Sequence, residues 1–361
     1  MGSMKVRGKK VFVGLSGGVD SAVSAALLKQ QGYNVTGVFA WIALPGYPCS
    51  AGGDRREALR VATHLQIPFE DINLSEEYRK KVFESALESY RRGETPNPDA
   101  LCNREIKFGL LYDFVRAKGA DHIATGHYAR TKQSSGGETH LYAGVDSEKD
   151  QSYFLWAVPE SILAHALFPV GGLHKREVRV LARKFGLPNA QRKDSQGLCF
   201  LGNVSMEEAL LKELRPAEGT VLDRGGTIIG KHRGAVLYTI GQRHGFELFV
   251  HGTKEVPHYV VAKNIEKNTI TVSSDPIVLF KGGPSGTKIE LREMNWIGTV
   301  ENGACQARFR YRQHLRPAWL TRRDITASVE FGAPEAVPVG QSLVLYRGAR
   351  CLGGGVIDIV K

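Results

Sequence analysis

The segment Ser16–Ser21 (SGGVDS) has the composition of a phosphate-binding turn. It joins a buried apolar run, residues 10–15, directly to a helical pattern. Because glycine has no Cβ, the backbone N–H groups of Gly17 and Gly18 can approach a ligand closely. The N-terminus of the following helix adds unpaired donors and a favourable dipole. The spacing matches neither Gly-x-Gly-x-x-Gly nor the lysine-bearing loop of nucleoside triphosphatases, which disfavours dinucleotide binding and ordinary kinase or GTPase chemistry.

Two cysteines lie in turn-rich segments where a thiol could react. Cys102 follows the stiff sequence NPD (97–99), and Asp99 can share its site if the chain turns there. Cys199 lies in a second such segment. None of the five cysteines forms a Cys-x-x-Cys pair, which disfavours a zinc ribbon or a thioredoxin-like site. Taken singly, each is better explained as a small buried hydrophobe, because a reactive thiolate needs partial exposure and positive charge nearby.

A second candidate segment combines charge, amide and aromatic side chains. Lys149, Asp150 and Gln151 precede Tyr153 and Phe154. This combination suits a flipped base whose polar edge is read and whose face is stacked. A helix start that covers its own core explains the same pattern.

Arginines crowd a strand-like run near the C-terminus. Strict alternation would put Arg308, Arg310 and Arg312 on one strand face as a track for phosphates, and a solvated strand face is the plainer alternative. The chain carries 48 Lys and Arg against 37 Asp and Glu, a formal charge of +11, which favours a polyanionic partner without requiring one. A second basic group flanks Cys199 and could contact the same partner: Arg176, Arg179, Arg183, Lys184, Arg192 and Lys193.

Hydrophobic patterning predicts the scaffold that positions these residues. Over the first 200 residues, short apolar strands such as 35–39 and 122–125 alternate with helical patterns. Such alternation predicts a parallel sheet covered by helices on both faces. From Gly219 onward, short strands alternate with turn residues, which predicts small antiparallel units, including a barrel. We expect an α/β chain of three domains: a parallel-sheet domain at 5–203, a small central, mostly β domain at 204–280, and a C-terminal β-barrel-like domain at 281–361.

The chain shows neither of the two sequence signals that would place it at or across a membrane. It has no run of about 18 apolar residues, so we predict no membrane span. It has no positively charged, apolar leader, so we expect a cytoplasmic protein. In that reducing compartment, dispersed cysteines remain thiols.

The glycine-rich turn resembles the loop of the ATP pyrophosphatase (PP-loop) superfamily. The chain as a whole resembles the bacterial and mitochondrial tRNA 2-thiouridylase family. Matching segments follow in family order: 14–21, 97–103, 124–130 (ATGHYAR), 149–155 (KDQSYFL), 195–200 (SQGLCF), 238–245 (YTIGQRHG), 310–313 (RYRQ) and 353–358 (GGGVID). The resemblance implies a tRNA-uridine 2-sulfurtransferase. Its PP-loop catalytic domain would be the unit at 5–203, and its tRNA-binding domain would be the unit at 281–361. Such an enzyme uses ATP to adenylate the C2 oxygen of the wobble uridine, in tRNAs for lysine, glutamate and glutamine, and replaces that oxygen with sulfur.

The resemblance also implies a role for individual residues at the nucleotide. ATP would be bound by Gly14, Leu15, Ser16, Gly17, Gly18, Val19, Asp20, Ser21, Ala40 and Gly126. Asp20 would help to hold Mg²⁺, and no permanently bound metal is expected. Ala40 stands where family members commonly carry a methionine, so we expect looser packing around the adenine.

Sulfur transfer and tRNA binding are implied for a second set of residues. Cys199 would carry sulfur as a persulfide, Cys102 would be its partner thiol, and Asp99 would act as a general acid or base. A disulfide between the cysteines requires Cα atoms within about 7 Å, so we expect a loop to move during turnover. The partners would be tRNA and a sulfur donor, either a cysteine desulfurase or a sulfur-relay protein. The target base or tRNA would be contacted by Asn97, Pro98, Asp99, His127, Lys149, Asp150, Gln151, Arg310, Tyr311 and Gln341.

Two alternatives remain beside this interpretation. Another PP-loop synthetase or ligase would add nitrogen rather than sulfur and would need no paired cysteines. A nucleic-acid-binding module with a decayed active site would explain the charge, although intact Asp20, Asp99, Cys102 and Cys199 argue against decay.

Overall fold

A computed structural model describes residues 8–193, 204–249, 256–275, 286–333 and 336–361. Its strands fall into three sheets. In chain order they are β1 (Lys10–Gly14), β2 (Asn34–Trp41), β3 (Phe69–Asn73), β4 (His122–Ala124), β5 (Ala129–Gln133), β6 (Thr139–Ala143), β7 (Ala166–Leu167), β8 (Gly219–Leu222), β9 (Ile228–His232), β10 (Phe246–Leu248), β11 (Tyr259–Asn264), β12 (Thr269–Ser273), β13 (Thr287–Trp296), β14 (Gly303–Arg308), β15 (Arg316–Arg323), β16 (Thr326–Phe331), β17 (Ser342–Arg347) and β18 (Arg350–Val360).

The helices belong mainly to the first half of the chain. Two of the helical stretches contain a π-helical segment, Arg79–Glu84 and Cys102–Leu110, and Ala235–Leu237 forms a 3₁₀ turn. The α-helices are α1 (Val19–Gln30), α2 (Ala51–His64), α3 (Ser75–Tyr78), α4 (Ser85–Arg91), α5 (Pro98–Leu101), α6 (Leu111–Ala117), α7 (Ser152–Leu155), α8 (Glu160–Leu163), α9 (Lys175–Lys184) and α10 (Met206–Leu214). In the described segments, no helix has both the length and the apolar composition needed to cross a bilayer.

The first sheet is parallel, with the strand order β3-β2-β1-β4-β7. Val11 and Val13 of β1 are fully buried, because the strands of a parallel sheet are covered on both faces. Since β2 and β4 lie on opposite sides of β1, the strand order reverses between β1 and β4. Open α/β sheets bind ligands at the carboxyl ends of the strands beside such a reversal.

The second sheet is built from residues 219–273, with the order β10-β9-β8-β12-β11. The third sheet forms a barrel in which β13, β16, β15, β14, β17 and β18 follow one another, and β13 closes it by pairing with β18. The predicted fold class is therefore confirmed: a parallel-sheet α/β domain, a small β domain and a C-terminal barrel. The boundaries predicted between these units remain predictions.

The catalytic domain and the barrel share a sheet and a core. The β5–β6 hairpin lies in the N-terminal half of the chain, but β6 pairs with β18 through Leu141 and Cys351. Both side chains are fully buried in one hydrophobic cluster that also holds Ile106 and Phe108 of the catalytic domain. The two units therefore pack as one body at this junction.

The strand predicted around the C-terminal arginines is shorter than expected. β14 ends at Arg308, and residues 309–312 form a bend and turn. Arg308 is buried, whereas Arg310 and Arg312 are exposed, and Arg312 has a positive φ of 62°. The prediction that these three arginines line one strand face is wrong, because the strand ends before its alternation can reach the second and third.

Candidate active site

The glycine-rich turn lies at the carboxyl end of β1, beside the strand reversal. Leu15 N donates to Val38 O of β2 (2.8 Å), so the turn starts against the neighbouring strand. Gly17 has φ +77°, a backbone conformation that glycine adopts without strain. Gly18 is the N-cap of α1, and the first helical bond runs from Ala22 N to Gly18 O. The N–H groups of residues 19–21 therefore lie in the first turn, where the helix itself supplies no acceptor.

Hydroxyl groups fix the shape of this turn. Ser21 Oγ donates to Gly18 O (3.1 Å) and accepts from Ser16 N (3.2 Å), and Gly18 N donates to Ser16 Oγ (3.3 Å). The turn is thus closed on itself before any ligand arrives. Its exposed backbone donors and the helix dipole can bind a phosphate group.

Asp20 forms an ion pair with a lysine of the same chain. Lys175 Nζ lies 2.7 and 2.8 Å from its two carboxylate oxygens, and Tyr128 OH donates to Oδ1 (2.9 Å). Within the described segments, no three His, Cys, Asp or Glu side chains are grouped to hold a metal ion. Asp20 as arranged here pairs with an ammonium, so a magnesium ion at this carboxylate would compete with Lys175 for its oxygens.

The carboxyl end of β4 brings Gly126 and His127 to the turn. A Cβ on Gly126 would lie 2.6 Å from Ser21 N, so this backbone packs directly on the first turn of α1. His127 is buried, its Nδ1 lies 2.7 Å from Thr125 Oγ1, and its Nε2 lies 3.5 Å from Lys107 Nζ. Burial, helped by the nearby lysine, lowers the pKa of His127 well below its usual value. Its imidazole is therefore neutral at physiological pH.

The segment around Cys102 runs along the same edge of the sheet. Asn97 caps α5 by accepting from Ala100 N (3.2 Å), and Pro98 occupies the first helical turn, where no N–H is needed. Cys102 is 0% exposed, since it packs into the core cluster on the inner side of this helix. The partial exposure that a reactive thiolate needs is therefore absent at Cys102 in the conformation described. Cys199 lies outside the described residues.

The 149–151 segment divides into exposed and buried parts. Lys149 and Gln151 are half-buried, and Gln151 bonds Tyr128 twice, through its backbone N (2.9 Å) and its side-chain oxygen (3.0 Å). Asp150 is 5% exposed, and its carboxylate accepts from Gly144 N, from Ser152 and from the buried guanidinium of Arg308. These contacts give Asp150 a structural setting, and a direct contact with RNA stays a prediction.

Barrel residues predicted to contact tRNA lie beside that segment. The Tyr311 ring is 4.7 Å from the Phe154 ring, centroid to centroid. Gln341 Oε1 accepts from Tyr153 OH (3.1 Å). Arg310 is exposed and donates to Ile240 O of the small β domain (3.2 Å).

Side-chain contacts join these segments into one site. Asn103 Nδ2 donates to Phe154 O (3.1 Å), which ties the Cys102 helix to the 149–155 segment. Lys107 of the same helix reaches His127, as described above. Ala40, at the carboxyl end of β2, lies two residues beyond the strand position that bonds Leu15. These contacts bring Gly126, His127 and the Cys102 helix to the glycine-rich turn, and Phe154 to Tyr311 of the barrel.

Comparisons with known proteins match the chain along almost its whole length. The family model for the tRNA methyl transferase HUP domain matches residues 9–203, that for the tRNA methyl transferase PRC-barrel domain matches 207–274, and that for the aminomethyltransferase beta-barrel domain matches 286–357. The tRNA-specific 2-thiouridylase MnmA of Hahella chejuensis is 43% identical over 364 residues, which cover 98% of either chain. Its counterpart from Lysinibacillus sphaericus is 41% identical over 97% of this chain and 94% of its own.

This chain belongs to the tRNA-specific 2-thiouridylase family. The family predicted from the sequence motifs is thereby confirmed. Among solved structures, the chain is similar to a 4-thiouridine synthetase–RNA complex with bound ATP (TM-score 0.35, 19% identity, 57% of this chain and 50% of that one). It is also similar to the U34-tRNA thiolase NcsA from Methanococcus maripaludis (TM-score 0.35, 19% identity, 50% of this chain and 59% of that one).

Three residues at the glycine-rich turn were missed or misassigned by the motif analysis. Lys175 pairs with Asp20, although nothing in its spacing marks it among the other basic residues of α9. Asn189 Nδ2 donates to Gly17 O (2.8 Å), and Arg192 Nη1 approaches the same oxygen (3.3 Å) while its guanidinium pairs with Asp54. Arg192, which the sequence grouped with a basic surface, therefore holds the turn.

A large cleft of about 1060 Å³ opens between the 79–105 region and the barrel. Asn97 and Leu101 lie on its wall, so it reaches the Cys102 segment rather than the glycine-rich turn. Its basic residues are largely paired with glutamates, for example Lys81 with Glu105 and Arg292 with Glu94. This pairing leaves little net charge in the cleft for binding phosphates.

Proposed function

We propose that this enzyme uses ATP and sulfane sulfur to convert a tRNA uridine, the wobble uridine, into 2-thiouridine. The observation that supports the proposal is the contact between two segments. Lys107, on the helix that bears Cys102, lies 3.5 Å from His127, and the neighbouring Gly126 packs on the glycine-rich turn at Ser21. The second support is membership of the 2-thiouridylase family over nearly the whole chain. We further propose tRNAs for lysine, glutamate and glutamine as acceptors, and a cysteine desulfurase or a sulfur-relay protein as the donor.

The first half of the reaction activates the base. The turn at 16–21 holds the departing pyrophosphate of ATP with its backbone N–H groups, while the uracil C2 oxygen attacks the α-phosphate. One P–O bond forms and one breaks, and C2 then bears an adenylate that can leave as AMP. Bound magnesium would offset the phosphate charge in this step, and Asp20 could hold it once Lys175 moves. Lys175, released from Asp20, would carry its own positive charge beside the same phosphates.

The second half transfers the sulfur. The terminal sulfur of a Cys199 persulfide attacks C2 and displaces AMP, which leaves the base joined to the enzyme through a disulfide-like S–S bond. The Cys102 thiolate then attacks Cys199 Sγ, so that the S–S bond to the base breaks and 2-thiouridine is released. Cys102 and Cys199 end as a disulfide, which an external thiol must reduce before the next cycle. Since Cys102 is fully buried here, this step requires the segment to open.

Proton transfer and base recognition fall to side chains at the same edge. Asp99 is the proposed acid or base, and Asn97 and Pro98 would contact the target base beside it. Neutral His127 suits the junction between nucleotide and base, because it adds no charge where the adenylate forms. The exposed Arg310 and the ring of Tyr311 would contact the tRNA from the barrel side.

The decisive experiment is nucleoside analysis of tRNA after incubation with enzyme, ATP, magnesium and a persulfide donor. We expect 2-thiouridine with the wild-type enzyme and none with Cys199→Ser or Cys102→Ser. Cys305→Ser, a buried barrel thiol, is the matched control and should retain activity. Formation of 2-thiouridine by Cys199→Ser would refute the assigned sulfur carrier. A parallel incubation with ammonium in place of the persulfide donor tests the PP-loop synthetase alternative, which predicts incorporation of nitrogen into the base.

A further inference from the structure

A buried polar cluster joins the catalytic domain to the barrel. Arg308 of β14 donates through Nη2 to Asp150 Oδ2 (2.6 Å) and to Tyr346 OH of β17 (2.8 Å). Ser152 Oγ donates to Asp150 Oδ2 (3.0 Å) and lies 3.0 Å from the same tyrosine hydroxyl. Two of these residues come from the catalytic domain and two from the barrel.

The cluster is shielded from water. Arg308 is 7% exposed and Tyr346 is 1% exposed. The guanidinium carbon lies 5.5 Å from the centroid of the Tyr153 ring and 4.9 Å from that of Tyr346, so aromatic rings of both domains flank the charge. A buried ion pair of this kind adds little net stability compared with apolar residues of the same volume, because both charges must leave water. The ion pair instead fixes the positions of the segments that it bonds.

Asp150 fixes the turn that carries the predicted base-contacting residues. Its Oδ1 accepts from Gly144 N (2.9 Å) and Ser152 N (3.1 Å), so the carboxylate clamps both ends of this turn. Gln151, the next residue, bonds Tyr128 at two points, and Tyr128 OH donates to Asp20. Arg308 thereby connects the barrel, through this turn, to the glycine-rich loop.

A second set of bonds anchors the other base-contacting segment to the barrel. Ser342 Oγ, at the start of β17, accepts from Asn97 Nδ2 (3.1 Å) and from Trp156 Nε1 (2.9 Å). Both segments on which the proposed target-base contacts lie are therefore held by barrel side chains.

We propose that Arg308 is a positioning residue, which orients the 149–151 turn for the target base by holding Asp150, and that Asp150 acts through this bond rather than by contacting RNA. The inference rests on the proposed thiolation reaction. It assigns the barrel a part in the chemistry in addition to binding tRNA. A misplacement of about 1 Å at a reacting centre can cost on the order of 100-fold in rate.

A double-mutant cycle tests the proposal. Asp150→Asn and Arg308→Gln are compared singly and together for the turnover rate kcat in tRNA thiolation, the Kd for unmodified tRNA and the Kd for ATP. We expect either single variant to lower kcat by roughly 10- to 100-fold and to change either Kd by less than about threefold. The double variant should be no slower than the slower single variant, because both changes remove the same bond.

The controls separate positioning from folding. Arg347→Gln removes a barrel arginine that donates to Glu301 O (2.7 Å) within the barrel, and it should retain the wild-type kcat. Arg308→Lys keeps the charge and should restore part of the rate. If Arg308→Gln does not fold, as judged by its melting curve, Tyr346→Phe replaces it in the cycle. That variant deletes only the hydroxyl that contacts the guanidinium, and it should lower kcat at least about threefold.

Three results would overturn the inference. A wild-type kcat for Arg308→Gln, or for Tyr346→Phe in its place, would mean that the Arg308–Asp150 ion pair does not position the target base. Multiplicative effects in the double variant would mean that Asp150 acts independently of Arg308, as an RNA contact would. A wild-type enzyme that forms no 2-thiouridine would remove the proposed function and this inference together, whereas the first two results leave the function intact.

Discussion

Replacing Gly126 by alanine tests how tightly the nucleotide site is packed. A Cβ at this position would lie 2.6 Å from Ser21 N and 2.8 Å from the carbonyl carbon of Asp20. Uncharged heavy atoms pack at about 3.5 Å, so the β4 end and the first turn of α1 must separate by roughly 0.9 Å. The atoms that would have to move are the backbone donors proposed to hold the phosphates.

We expect this displacement to affect catalysis more than folding. Overpacking of one methyl group costs about 1–3 kcal/mol of unfolding free energy, whereas a shift of about 1 Å in the donors can lower the rate on the order of 100-fold. Pyrophosphate release at varied ATP should therefore show kcat/KM reduced by about 10- to 100-fold. The Kd for tRNA, which does not depend on this contact, should stay unchanged.

Gly172→Ala is the matched control for this variant. Among the described residues, no atom lies within 4 Å of a Cβ built at Gly172. It should therefore match the wild-type enzyme in melting temperature and in kcat/KM for ATP. A Gly126→Ala enzyme with wild-type kcat/KM for ATP would refute the close approach between β4 and α1.

Further predictions concern charge and protonation. Lys175→Met removes the ammonium that pairs with Asp20, so magnesium should bind that carboxylate more readily. The magnesium concentration that gives half-maximal pyrophosphate release should therefore fall. An unchanged concentration would contradict competition between Lys175 and magnesium. The pKa of His127 is lower in the folded state than in the unfolded state, so below about pH 6.5 the unfolded state binds more protons than the folded state. The contribution of neutral His127 to the unfolding free energy is therefore fully present above that pH and is lost as the pH falls. Chemical denaturation should show the unfolding free energy falling by up to about 1.4 kcal/mol per pH unit below about pH 6.5. The His127→Gln variant should lack this loss. The same pH dependence in both proteins would refute the burial of a neutral His127. Burial raises the pKa of Cys351 to about 12. Iodoacetamide at pH 8 should therefore alkylate the exposed Cys49 before Cys351, as followed by mass spectrometry, and equal rates at these two thiols would contradict the burial.

Local sequence patterns predicted the secondary structure well in segments whose hydrophobic residues follow a single clear period. β4 spans His122–Ala124, which lies within the apolar run 122–125 that was expected to form a strand. The glycine-rich turn was also predictable, because Gly17 and Gly18 can be identified as a turn without knowing what surrounds them. In such places the residue type alone selects the backbone conformation.

Contacts between distant parts of the chain were not predictable in this way. The family resemblance places Asp150 among the target-base contacts, but nothing in the sequence indicated its buried partner Arg308, which lies 158 residues away along the chain. Arg308 in turn was predicted to face solvent with its neighbours. The sequence also left open whether Cys102 is a buried hydrophobe or a reactive thiol, because its burial depends on which helix face meets the core. Neither charge nor spacing reveals such pairings.

The β5–β6 hairpin has a consequence for how the enzyme can be divided. Without the barrel, β6 would present its unpaired backbone donors and acceptors to water along the stretch that now bonds Arg350 and Cys351. Leu141, fully buried against that strand, would be uncovered at the same time. A fragment ending after the parallel-sheet domain would therefore expose an unpaired strand edge, and it should self-associate by pairing that edge with another copy. The parallel-sheet domain therefore depends on the C-terminal barrel to pair this strand edge and to cover the side chain behind it.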